Sequence, residues 1–108
     1  MELSIVISTY NNAASLERAL KSVAMQDADK SIWECVVVNN NSSDNTSECF
    51  AEFASGHPEY NLRIVDEPNQ GLSYARNRGI RESVGEYIAI IDDDEHIAED
   101  FVAAYTAK

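Results

Sequence analysis

Positive charge is what this sequence has least of. Eight basic residues face 19 acidic ones, for a formal net charge of −11. Such a surface repels polyphosphate at long range, and no basic cluster offers a local exception. Nucleic acid and anionic lipid are therefore disfavoured as partners. The balance still leaves room for a phosphate ligand whose charge is met by a bound cation. Cysteine is nearly absent too: Cys35 and Cys49 match neither a metal-ligand nor a redox spacing. Two reduced, buried thiols are expected, which fits a reducing compartment. No segment approaches the roughly 20 apolar residues of a membrane helix. Met1 to Asn12 lacks both a basic n-region and an adequate h-region for a signal peptide, so the expectation is cytoplasmic. With two prolines and four glycines there is no flexible linker, and there is no repeat or low-complexity tract. A length of 108 residues allows one domain, 1–108, with a modest core. The P-loop lysine motif, the glycine-rich dinucleotide fingerprint and the calcium loop are all missing.

What is present is an alternation of two periodicities. Leu3 to Ser8 is a β-branched run, read as a strand. Ala13 to Met25 puts Leu16, Ala19, Leu20 and Val23 on one helical stripe, capped by Asn11 or Asn12. Trp33 to Val38 is a nearly unbroken apolar run, as in a strand buried on both faces. Asp44 can cap a helix from Asn45 to Ala54 with Cys49, Phe50 and Phe53 inward, closed by Gly56, His57 and Pro58. Asn61 to Val65 reads as a strand, Leu72 to Ser83 as a helix between Gly71 and Gly85, Tyr87 to Ile91 as a very apolar strand, and Ile97 to Ala107 as a last helix. The order β-α-β-α-β-α-β-α predicts an α/β protein with a mostly parallel sheet flanked by helices. Ligands of such sheets sit outside the carboxyl ends of the strands, so those ends are where chemistry is sought.

The first strand is followed by Thr9-Tyr10-Asn11-Asn12, polar groups leading into a helix start. Simple capping explains them equally well. After the second strand, three asparagines follow three valines, Asn39-Asn40-Asn41. Asparagine can read the edge of a base, and it also favours turns. In the third helix, Arg76 lies where its guanidinium can turn back to the ligand edge and meet a phosphate or a base carbonyl. A surface salt bridge is the competing reading. Gly79 inside that helix costs about 1 kcal/mol against alanine and points to close helix–sheet packing.

The fourth strand ends in Asp92-Asp93-Asp94-Glu95-His96. If the chain stays extended, Asp92 and Asp94 converge and Asp93 points away. Converging carboxylates repel unless a cation lies between them, and oxygen-only ligands select Mg²⁺ or Mn²⁺. Such an ion typically takes about one or two carboxylates and leaves its other positions to water and substrate phosphate. A solvated acidic turn at a helix start is the alternative.

Together SIVISTYNN (Ser4–Asn12), VVVNNNSSDNT (Val36–Thr46), NQGLSYARNRGI (Asn69–Ile80) and GEYIAIIDDDEHI (Gly85–Ile97) resemble the family 2 glycosyltransferases. Any one segment is weak; four in order across nearly the whole chain make a specific match. The resemblance implies the Rossmann-like A-type glycosyltransferase fold, here its nucleotide-sugar-binding half. It implies a nucleotide-diphospho sugar donor, a UDP-sugar, and a saccharide or lipid-linked acceptor. It implies that Thr9, Tyr10, Asn11, Asn39, Asn41, Arg76 and Asp92 contact the donor, and that Asp92 and Asp94 hold Mn²⁺ or Mg²⁺, with Asp94 the direct ligand. Asn39 stands where the family usually has an aspartate that accepts a hydrogen bond from the base. The general base is expected beyond Lys108, so this length alone should bind donor and transfer sugar poorly. A non-catalytic nucleotide- or metal-binding module is the rival reading. An exposed sheet edge could drive homodimerisation. His57 is expected at the surface, and His96 near the diphosphate.

Overall fold

The computed structural model describes residues 1–106. Four strands form one all-parallel sheet: β1 (Leu3–Thr9), β2 (Trp33–Asn39), β3 (Leu62–Asp66) and β4 (Tyr87–Asp92), in the spatial order β3-β2-β1-β4. The helices are α1 (Ala13–Val23), α2 (Thr46–Ser55), α3 (Leu72–Glu82) and α4 (Phe101–Thr106), and one 3-10 turn, Lys30–Ile32, precedes β2. The expected α/β class and element order stand.

Alternation along the strands divides the core into two layers. Leu3, Ile5, Ile7, Trp33, Cys35, Val37, Ala89 and Ile91 face Leu16, Ala19, Leu20 and Val23 of α1, Phe50 of α2 and Val102 of α4. On the other face Val6, Val36 and Val38 pack against Ala75 of α3. Every residue of the two central strands is buried. Gly79 sets the distance of α3: a Cβ there would lie 2.3 Å from Val6 Cγ1, so the glycine is there for close packing, as its position suggested.

The sheet's lower end holds a group absent from the sequence reading. Glu34, 2% exposed, accepts from the Ser4 hydroxyl at 2.6 Å and from the Val84 N–H at 2.9 Å. Arg63 lies 3.2 Å from its other carboxylate oxygen. A buried charge is tolerated when a countercharge and hydrogen bonds satisfy it, as here.

Several expectations need correction. The very apolar run Tyr87–Ile91 implies a strand buried on both faces, but β4 is an edge strand, and Ile90 on it is 39% exposed. The last helix does not begin at Ile97. Residues 97–99 are pinned to the end of α1 instead: Ile97 N–H donates to Ser22 Oγ, Gln26 Nε2 to the Ala98 carbonyl, and Asp27 N–H to the Glu99 carbonyl. Helix starts only at Phe101, where Gln26 Oε1 takes the Val102 N–H. Its expected end, Ala107, lies outside the described residues. Cys35 is buried, but Cys49 is only half-buried. His57 is half-buried, with its ring stacked on Phe53 at 4.2 Å.

Candidate functional site

Parallel register brings the strand ends to one edge. Thr9 pairs with Asn39, Asn39 with Asp66, and Ser8 with Asp92. The connection from β1 moves to β2, whereas that from β3 returns across the sheet to β4 on the opposite flank of β1. Such a reversal leaves a crevice at the strand ends. Here it is a cavity of about 430 Å³, lined by Ser8, Thr9, Tyr10, Asn12, Asn40, Gln70, Gly71, Leu72, Ala75, Asp92, Asp93 and Asp94.

All three aspartates line the cavity, but not as extended-chain alternation foretold. The strand stops at Asp92, and a turn follows in which Glu95 N–H donates to the Asp92 carbonyl at 3.0 Å. Asp93 therefore does not point away. It accepts from the Thr9 hydroxyl at 2.9 Å and from Asn12 Nδ2 at 3.4 Å. Asp92, on the α3 face, lies 3.5 Å from Arg76 Nη2. Asp94 is exposed and makes no hydrogen bond or ion pair among the described residues. Repulsion within the run is thus relieved by separate partners for Asp92 and Asp93, which leaves Asp94 uncommitted at the rim. His96 is exposed and does not line the cavity.

Of the other expected donor-binding residues, Thr9 and Tyr10 line the cavity, and Tyr10 is 46% exposed. Arg76 does not line it and reaches its edge through Asp92, so the salt-bridge reading describes this state of the chain. Asn11 is taken up by architecture. At φ 47° its side-chain oxygen accepts from the N–H groups of Ser43 and Asp44, at 2.7 and 3.2 Å, locking the loop after β1 to the loop after β2. Neither Asn11 nor Asn12 caps α1 through its side chain; Asn12 turns to Asp93 instead. Asp44 does bond the start of α2: it accepts from the Thr46 hydroxyl and backbone N–H, and these hold its carboxyl below the usual range.

Asn39 and Asn41 do not line the main cavity. They border a smaller one of about 270 Å³ with Ser42, Ser47, Asp66, Glu67 and Pro68. The Asn39 amide donates to Ser47 Oγ at 3.0 Å, and its oxygen accepts from Ser42 N–H at 3.1 Å. Asn40, not singled out from sequence, is the asparagine that faces the main cavity. It is buried, donates to the carbonyls of Asn69 (2.8 Å) and Glu67 (3.3 Å), and accepts from Gly71 N–H at 2.8 Å. It thereby fixes the β3–α3 loop as a cavity wall. Gly71 has φ 141°, a conformation that excludes other residues, and lies beside the Tyr74 ring. Strand alternation alone could have separated Asn40 from its two neighbours.

Among the described residues, no group of three or more His, Cys, Asp or Glu side chains forms a metal cage. A hard divalent ion that takes roughly one or two carboxylates and completes its shell with water and phosphate needs no such cage. The uncommitted Asp94 and the weakly paired Asp92 fit that donor set.

Sheet order, crevice and oxygen-rich rim define an open α/β protein with a cavity at its topological switch point, where ligands of such sheets sit. The family model described as glycosyl transferase family 2 matches residues 4–105. Glycosyltransferase AglE of Haloferax volcanii is 37% identical over 92 residues, covering 85% of this chain. The mannosyltransferase PcManGT from Pyrobaculum calidifontis, solved with GDP-Man and Mn²⁺, superposes with a TM-score of 0.89 at 32% identity over 94% of this chain. TarS of S. aureus, solved with UDP-GlcNAc, also has a TM-score of 0.89, at 28% identity over 99% of the chain. The chain spans 30% of the length of each. It belongs to glycosyl transferase family 2, and its sheet and helices are the expected A-type glycosyltransferase fold.

Proposed function

We propose that residues 1–108 are the donor-binding part of a metal-dependent glycosyltransferase that transfers sugar with inversion from a nucleotide diphosphate, a UDP-sugar, to the hydroxyl of a saccharide or lipid-linked acceptor. The observation that carries this reading is one cavity shared by Thr9, Tyr10 and Asp92–Asp94 at the carboxyl end of a parallel sheet. Two relatives of similar backbone were solved with nucleotide sugars, GDP-Man in one and UDP-GlcNAc in the other.

In this reading the nucleoside enters beside Tyr10 and the Asn39–Asn41 segment, and the diphosphate lies at the aspartate rim. Asp94 and Asp92 would hold Mg²⁺ or Mn²⁺, which supplies charge neutralisation for the leaving diphosphate. Without a cation the rim repels a diphosphate, so binding has to be metal-dependent. Arg76 adds a fixed positive charge at the same edge, where charge grows on the leaving group. Asp93 holds Thr9 and Asn12 in place rather than ligating the ion. These residues bind and orient the donor; none of them is assigned the general-base role.

Calorimetry with UDP-GlcNAc and with GDP-Man, with and without Mn²⁺, tests the proposal. Metal-dependent binding of a nucleotide sugar is expected, and absence of binding to both in Mn²⁺ would reject it. Slow release of free nucleoside diphosphate marks a competent enzyme, whereas binding without release favours a non-catalytic module.

A further inference from the structure

Asp92 already has a cation as its partner. Arg76 Nη2 lies 3.5 Å from Asp92 Oδ1, with the two side chains 43% and 50% exposed. Four acidic side chains follow one another at positions 92–95, and Arg76 is the basic side chain paired with them among the described residues. The ion pairs of Arg63, Arg78 and Arg81 go to Glu34, Glu67 and Glu82 instead. The backbone of Asp92 is fixed beside the arginine: it is in register with Ser8, and its N–H donates to Glu95 Oε1 at 2.7 Å.

The pair is loose. A guanidinium matched to a carboxylate makes two parallel bonds of about 2.7–2.9 Å. Here there is a single contact at 3.5 Å, and the Arg76 Nε is shut from solvent with no partner among the described residues. The arginine neutralises Asp92 without being locked to it. A half-exposed pair of this kind contributes little to stability, so a ligand that competes for either partner separates them at small cost. On the donor-binding reading both partners have a competitor. A divalent ion takes the carboxylate, and a diphosphate takes the guanidinium. Two cations held by one carboxylate repel each other well inside the screening length of about 8 Å.

We infer that Arg76 is the internal counter-ion of Asp92 and opposes metal binding there until a diphosphate draws the guanidinium away. The inference rests on the donor-binding reading above and adds a coupling to it. Metal and nucleoside diphosphate each bind weakly alone and strengthen one another, in part through this exchange of partners at Arg76. Such a coupling is reciprocal.

The test measures Mn²⁺ binding from the paramagnetic resonance of the free ion, without nucleotide and with saturating UDP or GDP. Arg76→Gln removes the counter-ion, and Arg76→Lys keeps a charge in its place. Arg81→Gln makes the same change in net charge on an exposed arginine of the same helix, one paired with Glu67. Arg76→Gln is expected to bind Mn²⁺ alone about fivefold more tightly, the effect of one nearby charge at a half-exposed site. It is also expected to gain less Mn²⁺ affinity from nucleotide than the unmodified chain does. Arg76→Lys should follow the unmodified chain, and Arg81→Gln should lie within about twofold of it. An unchanged Mn²⁺ affinity in Arg76→Gln, or an undiminished gain from nucleotide, would overturn the inference and leave the donor-binding reading intact. Weaker Mn²⁺ binding would overturn it by making the arginine a support that orients Asp92 for the ion. An equal gain in Arg81→Gln would overturn it by reducing the effect to net charge. If the unmodified chain binds neither nucleotide in Mn²⁺, the donor-binding reading fails, while the comparison on Mn²⁺ alone still decides whether Arg76 and the ion compete for Asp92.

Discussion

Thr9 and Asp93 lie 84 positions apart in sequence and are joined by a 2.9 Å hydrogen bond in which the threonine hydroxyl donates to the carboxylate. The bond clasps the loops that leave β1 and β4 and so closes one side of the cavity. It also divides the acidic run by task, since Asp93 is committed to the scaffold and Asp94 is not.

That division predicts different phenotypes for adjacent aspartates. Asp94→Asn should leave the melting temperature within about 2 °C, because an exposed side chain without partners contributes little to stability. It should remove most of the Mn²⁺-dependent part of nucleotide binding. Asp93→Ala should lower the melting temperature by several degrees, about 1 kcal/mol for the lost hydrogen bonds, while what binding remains stays metal-dependent. Melting curves and calorimetry on both variants check this; the reverse assignment would show Asp93 to be the ligand.

Asn40 makes three side-chain hydrogen bonds at the cavity wall. Asn40→Ala leaves the carbonyls of Glu67 and Asn69 and the N–H of Gly71 without their partner. A cost of about 2–3 kcal/mol is expected from buried groups left unpaired, read as a lower urea midpoint. Asn40→Asp should fare no better, because two carbonyls would then face a carboxylate.

Gly79→Ala sets two effects against each other. Helix propensity favours alanine by about 1 kcal/mol. Overpacking costs about 1–3 kcal/mol, and here the new Cβ would stand 2.3 Å from Val6, a fully buried residue on a central strand. Neither the strand nor the short valine side chain has room to yield, so the variant should be less stable by about 1–2 kcal/mol in chemical denaturation.

Burial pushes the Cys35 thiol up to about 12 from an ordinary value of 9.0, with the Glu34 charge beside it acting the same way. Between those values the unfolded chain releases this proton and the folded chain keeps it, so stability falls as pH rises from about 9 to about 12. Cys35→Ala should flatten that alkaline slope, as followed by urea denaturation at a series of pH values. Thiol reagents should modify Cys35 only on unfolding, since the thiolate is the reactive form.

Much of the fold was legible because strand and helix periodicities are local properties. The runs around Ile5 and Val36 and the stripe from Leu16 to Val23 predict elements that the structure places within a few residues. The helix predicted from Ile97 failed because distant side chains decide that segment: Ser22 and Gln26 hold residues 97–98 out of a helix. Strand β4 is very apolar and yet an edge, since composition does not state sheet order. The strand-end principle located the rim without revealing how its residues are paired.

By itself, the sequence determined the class of the fold, the family and the short list of polar groups at the carboxyl ends of four strands, because periodicity and motif order are written along the chain. Only the tertiary structure decided which of those groups are spent on architecture. Asn11, Asn39 and Asp93 are bound to partners brought in by the parallel register and the loops, whereas Asp94 is left without one. A hydrogen bond between residues far apart in sequence depends on where the backbone carries both ends, and no local pattern encodes that.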